Sequence, residues 1–176
     1  MFLIKSEDNF LLNQFMGLLF QNNIEVTHRS DVKHFACIDI KSFNSELVMK
    51  VDTIHLKYST PIVFQKLLHD LISLLSDLSF GFGNLSYNPI KQLVIFNNKI
   101  LSLKNFHNII LRNLILHEMD GLSKEIIYRK LWPNDKTIMI NKLDTHLTNL
   151  KNFLKKEINF NLNFTSSLGQ IKLIRD

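Results

Sequence analysis

A single cysteine among 176 residues excludes an internal disulfide, and Cys37 has the apolar neighbours Phe35, Ala36 and Ile38 that an ordinary buried thiol would have. The chain has no uncharged apolar run of about eighteen residues, the minimum for a membrane-spanning helix. Its first apolar stretch is broken by Lys5, Glu7 and Asp8, which does not fit a signal peptide either. A cytoplasmic location, with no membrane partner, is therefore expected. The seven histidines are scattered, and with one cysteine they form no compact zinc spacing; His55, His69 and His117 are expected to be structural. GxSxG, P-loop, HExxH and dinucleotide fingerprints are all missing, which argues against an enzyme and leaves no cofactor to expect.

Apolar residues make up 45% of the chain, enough for a folded core in one large domain or two small ones. The net charge of +5 is unevenly distributed. Residues 1–78 hold seven Lys/Arg against nine Asp/Glu, or −2, whereas residues 79–176 hold fourteen against seven, or +7. A polyanion such as nucleic acid suits the second half, because each Lys or Arg on a phosphate releases condensed counterions. The abundance of Asn, Ile, Lys and Phe is also what AT-biased codons produce, so charge alone does not fix the function.

In the first half, Phe2–Ile4 reads as a strand. A helix follows, with Phe10, Leu11, Phe15, Leu18 and Leu19 on one stripe up to the turn at Asn22-Asn23. Ile24–Thr27 and Phe35–Ile40 read as two more strands, the second apolar enough to be buried on both faces, and too few residues lie between them for a crossover helix. Leu47–Leu56 alternates loosely. Pro61 then opens a helix whose apolar members are Ile62, Leu67, Leu68, Leu71, Leu74 and Leu75. The order FLIKSED, helix, IEV, FACID and final helix resembles a shortened receiver domain of a two-component response regulator, a flavodoxin-like fold. By that resemblance Asp39 matches the phosphoacceptor, and Glu7 and Asp8 match the acidic pair that holds Mg²⁺. Lys57 stands four residues ahead of Pro61, with Thr60 directly before the proline, and at about 78 residues the unit is short for a doubly wound domain. Asp8 could also simply favour the start of the first helix. The resemblance implies a degenerate receiver that dimerises without phosphorylation, with a working phospho-switch as the alternative.

The segment Asp77–Gly83 is the expected domain boundary. Beyond it, Phe82–Tyr87, Gln92–Phe96 and Lys99–Leu103 read as an antiparallel meander, with Asn97-Asn98 as a two-residue hairpin turn. Phe106, Ile109, Ile110, Leu114 and Ile115 mark a helix ended by Asp120-Gly121, and Ser123 caps a second helix that Pro133 stops. In Asn141–Lys156, leucines at 143, 147, 150 and 154 form one narrow helical stripe. Asn141, Thr145, Thr148, Asn149 and Asn152 fall on the opposite side, flanked by Lys142 and Lys155. Amides, hydroxyls and lysines suit base edges and phosphates, although a solvated amphipathic helix would accept the same residues. Phe160–Phe164 and Gln170–Ile174 read as strands around a tip from Thr165 to Gly169.

This half resembles the OmpR/PhoB-type winged helix-turn-helix domain of response regulators, through GLSKEIIYRKLWP (Gly121–Pro133), LDTHLTNLKNFL (Leu143–Leu154), TSSLGQIKL (Thr165–Leu173) and the initial meander. The resemblance implies an α+β domain over residues 79–176 that binds double-stranded DNA and regulates transcription. Its third helix would enter the major groove, its wing would approach the minor groove, and Trp132 and His146 would lie near phosphates. The DNA-contacting set is then Trp132, Asn141, Lys142, Thr145, His146, Thr148, Asn149, Lys151, Asn152, Ser166 and Ser167. Thr148, Asn149 and Lys151 stand where the family often has arginines, and Gln170 replaces a wing tyrosine. Asn pairs with adenine and Thr touches the thymine methyl, so A·T-rich sites are expected. The missing arginines keep a protein-interaction module open as the alternative.

Overall fold

The computed structural model describes every residue except Asn44, Thr60, Ile62 and Asp176. Its contacts divide the chain into two units, Met1–Asp77 and Leu78–Asp176. The first unit runs β1 (Phe2–Ser6), α1 (Asn9–Gln21), β2 (Val26–Thr27), β3 (Cys37–Phe43), β4 (Glu46–Val51), β5 (Ile54–Ser59) and α2 (Phe64–Asp77). Asp8 starts α1: its Oδ1 accepts the backbone N–H groups of Phe10 at 2.8 Å and Leu11 at 3.2 Å, two donors a helix start otherwise leaves unpaired. Of the expected stripe, Phe15 and Leu19 are fully buried, whereas Phe10 is 69% exposed. The second helix opens at Phe64, three residues past Pro61, and the expected core position Ile62 lies outside the described residues.

The sheet order is β2-β1-β3-β4-β5, with β1 parallel to both β2 and β3, and with β4 antiparallel to β3 and β5. Flavodoxin-like sheets share this 2-1-3-4-5 order but keep their strands parallel and carry helices on both faces. Here β3 ends two residues before β4 starts, and β4 ends two residues before β5 starts, a chain length that allows an antiparallel hairpin but not a parallel crossover. The Leu47–Leu56 alternation is therefore two strands, turned at Asp52, whose φ is +51°.

Strand alternation sends Ile38, Ile40, Met49 and Val51, all fully buried, to one side of the sheet. Both helices pack on that side. The Phe15 and Phe64 rings meet at 5.0 Å, and the Tyr58 hydroxyl donates to Asp70 Oδ2 at 2.9 Å. Burial, together with the Asp70 carboxylate, pushes the Tyr58 phenol up to about 12. The opposite side carries Lys5, Cys37, Asp39, Lys41 and Lys50. The third strand is thus buried on one face rather than two. Cys37 is half-buried, and partial desolvation raises its thiol pKa.

The second unit begins with the antiparallel meander β6 (Phe80–Phe82), β7 (Leu85–Asn88), β8 (Leu93–Phe96) and β9 (Lys99–Ser102). The expected strand Phe82–Tyr87 is split by a turn at Gly83, with φ +56°, while Asn97 and Asn98, with φ of +48° and +62°, form the two-residue turn that the sequence suggests. There follow α3 (Asn105–Leu116), β10 (Leu122–Ser123), α4 (Lys124–Leu131), α5 (Ile140–Ile158), β11 (Asn163–Ser167) and β12 (Gln170–Ile174), with a second sheet ordered β10-β12-β11. The buried Tyr87 hydroxyl donates to buried Asn108 Oδ1 at 2.6 Å and ties the meander to α3.

Leu111, Leu114, Ile127, Tyr128 and the α5 leucines form the core of this unit. The third helix ends at Leu116, before Asp120-Gly121. Gly121 has φ +78°, and a Cβ there would stand 3.1 Å from the Ile171 carbonyl oxygen, so glycine lets β10 approach β12. Asn159, at φ +59°, ends α5, and Phe160 and Leu162 are buried without joining a strand, so β11 starts at Asn163. No helix among the described residues is long and apolar enough to cross a membrane.

Candidate nucleic-acid interface

The fifth helix buries Leu143, Leu147, Leu150, Leu154 and Ile158 and exposes Asn141, Thr145, Thr148, Asn149, Lys151 and Asn152. The Thr145 hydroxyl donates to the Asn141 carbonyl oxygen at 3.0 Å and the Thr148 hydroxyl to that of Asp144 at 2.9 Å. Both hydroxyl protons are used inside the helix, which leaves the oxygen lone pairs and the methyl groups for whatever the face meets. Lys155 and Lys156 extend the exposed face toward the C-terminus of the helix.

Five of the predicted residues lie off this face, Trp132, Lys142 and His146 in one cluster and Ser166 and Ser167 in β11. Trp132, the C-terminal cap residue of α4, is half-buried with its ring 5.7 Å from Phe106, 4.7 Å from Tyr128 and 5.3 Å from His146. Lys142 lies 4.1 Å above the Trp132 ring, and its Nζ donates to Asp135 Oδ2 at 3.1 Å. The Tyr128 hydroxyl donates to the same oxygen at 2.5 Å, and this hydrogen bond, before that from Lys142, holds the Asp135 carboxyl below its usual range and raises the Tyr128 phenol. His107, beside Phe153, has its pKa lowered first by burial and then by His146 and Lys104. Trp132, Lys142 and His146 thus join an aromatic cluster that fixes the α4–α5 connection, while the six outward residues of α5 form a separate polar stripe.

No family model matches the sequence, and no curated protein matches it. Among solved structures, the chain is similar to the DNA-binding domain of E. coli CadC, at 16% identity over 53% of this chain and 89% of that one, with a TM-score of 0.44. It is similar to the C-terminal domain of the nisin resistance regulator NsrR, a lantibiotic response regulator, at 27% identity over 53% and 93%, with a TM-score of 0.42. A third match comes from redox sensors in the streptococci evolved from two-component response regulators, at 11% identity over 99% and 67%, with a TM-score of 0.44.

A partly buried ion pair links α4 to α5. Lys124 Nζ lies 2.6 Å from Asp144 Oδ1, with the lysine side chain 10% exposed. Removing the carboxylate strands a cation that water cannot fully reach, so Asp144→Ala should destabilise this unit by roughly 2–3 kcal/mol, measured as a fall in the denaturant midpoint. An unchanged midpoint would mean that the lysine finds water without cost.

The wing residues Ser166 and Ser167 are exposed, but they lie in β11 rather than at the hairpin tip, which consists of Leu168 and Gly169. Sequence reasoning passed over Leu168; its signal was a leucine directly before glycine at a turn where asparagine would be usual. Asp135 was also missed, since nothing local marks a carboxylate that will meet Tyr128 and Lys142 seven residues to either side.

In the first unit, the register places Asp39 between Lys5 on β1 and Lys50 on β4, with Lys41 Nζ at 3.7 Å. Asp39 lines a shallow concavity with Lys5, Cys37, Lys50 and Asp52, whereas Glu7 and Asp8 line a different one with Ser6, Ile40, Lys41, Ser42 and Phe43. The structure does not bring the three carboxylates together. Among the described residues, no group of three or more His, Cys, Asp or Glu side chains is placed to hold a metal ion.

Proposed function

We propose that residues 79–176 form a winged helix-turn-helix that binds duplex DNA, and that the chain regulates transcription. The observation that carries this reading is the outward face of α5, where five amides and hydroxyls lie beside exposed lysines on a helix long enough to run along a major groove. The preceding α4, the β11–β12 wing and the +7 charge of this half support it. Trp132 and His146, at the edge of the aromatic cluster, would meet the phosphates, and Ser166 and Ser167 the neighbouring backbone.

In this reading the unit spanning residues 1–78 dimerises and works without phosphorylation, which is supported by the separation of Asp39 from Glu7 and Asp8. The first helix has no charged residue from Asn9 to Gln21 and exposes Phe10 and Phe20, a surface of the kind buried between protein partners. Two copies would set their recognition helices on half-sites about one helical turn apart.

Binding to mixed genomic duplex fragments at two salt concentrations tests the proposal. If about four phosphates are contacted, affinity should fall roughly a hundredfold between about 50 and about 200 mM salt. Failure to retain DNA at the lower concentration would favour a protein-interaction module, the reading that the absence of arginine from α5 supports.

A further inference from the structure

The wing tip is strained and apolar at the same point. Leu168 and Gly169 both have positive φ, +48° and +75°, and together make the two-residue turn of the β11–β12 hairpin. Asn-Gly or Asp-Gly ordinarily fills such a turn, because glycine lacks the Cβ that clashes there and short polar side chains bond locally. Elsewhere this chain follows that rule. Its other described non-glycine residues at positive φ are Asn23, Asp52, Gln92, Asn97, Asn98 and Asn159, all polar. Leu168 alone is apolar, and it is 99% exposed. The fold gains nothing from it, since it covers no core and strains the backbone. Around it stand Ser166, Ser167 and Gln170, exposed and uncharged.

Resting on the DNA-binding reading above, we infer that Leu168 is a wedge that enters the minor groove and partly unstacks one base step, bending the duplex. Apolar side chains at minor-groove contacts act in this way, and they need neither charge nor a hydrogen-bond partner at the tip. A two-residue turn on a paired hairpin is stiff enough to press a side chain between bases, as a long loop would not be. The hydroxyls of Ser166 and Ser167 and the amide of Gln170 are suited to the sugar and phosphate edges on either side of the inserted leucine. Pyrimidine–purine steps such as TA unstack most cheaply, so the wedge favours the A·T-rich sites that the asparagines and threonines of α5 also suit.

The test uses the full chain and the duplexes that the wild type retains from a random-sequence pool, labelled at both ends for energy transfer and carrying 2-aminopurine at successive steps. The wild type should shorten the end-to-end distance and brighten one step. Leu168→Asn keeps a residue at home at positive φ, so it should melt no lower than wild type. It should bind about tenfold more weakly, with the salt slope unchanged and both signals gone. Leu168→Met should restore the bend. Wild-type binding without bend or brightening, or a Leu168→Asn protein that bends DNA as the wild type does, would overturn the wedge and leave the DNA-binding reading intact. If the wild type retains no duplex at low salt, both fall together.

Discussion

Replacing Thr148 and Asn149 together by glutamate should weaken duplex DNA binding at low salt by at least about a hundredfold while leaving the melting temperature within a few degrees of wild type. Both side chains are exposed on the outward face of α5, and the one bond lost is the Thr148 hydroxyl to the Asp144 carbonyl oxygen. Glutamate is a better helix former than either residue, which offsets the like charge introduced one turn from Asp144. In the proposed groove contact, however, two carboxylates would replace neutral groups close to phosphates, and each would be desolvated without a partner. Retention assays on genomic fragments check this. A variant that binds as well as wild type would remove α5 from the interface, whatever the rest of the chain does.

Leu150→Ala should have the largest effect on folding, about 3 kcal/mol against the second unit, and should lower its melting temperature by roughly 15 °C. Leu150 is fully buried between Leu147 and Leu154 on the inward stripe of α5, so truncation removes apolar contacts and leaves a cavity that rigid helices on either side fill poorly. Differential scanning calorimetry measures it. A shift of only two or three degrees would mean that the stripe packs loosely and that α5 is held chiefly by the Lys124–Asp144 pair.

Features governed by neighbours a few residues away were legible in the sequence. The leucine stripe of α5, the Ser123 cap, whose Oγ accepts the Glu125 N–H at 3.2 Å, and the Asn97-Asn98 turn all follow from local spacing and side-chain chemistry. The β4–β5 hairpin was less visible because Asp52-Thr53 lacks the glycine or asparagine of a usual turn. Its trace is a change of parity, with the inward positions odd at Leu47, Met49 and Val51 and even at Leu56 and Tyr58. Asp39 looked like an acceptor from its place in the order of elements; that it stands between two lysines depends on strand register, which no single strand encodes. The same holds for the aromatic cluster around Trp132. Its members lie on α3, α4 and α5, and only their packing sets Lys142 over the indole.

The antiparallel hairpins of the first unit also bear on how that unit folds. A parallel sheet of five strands must close several long crossovers before any strand pairing rewards the lost entropy. Here β3, β4 and β5 pair through two-residue connections, so this three-stranded ribbon can assemble within microseconds from contacts close in sequence. The slow closure is the one that brings β1 beside β3, pairing Ile4 with Ile38 across more than thirty residues of chain. The barrier to folding of this unit is therefore expected where Leu3 and Ile4 meet Cys37 and Ile38.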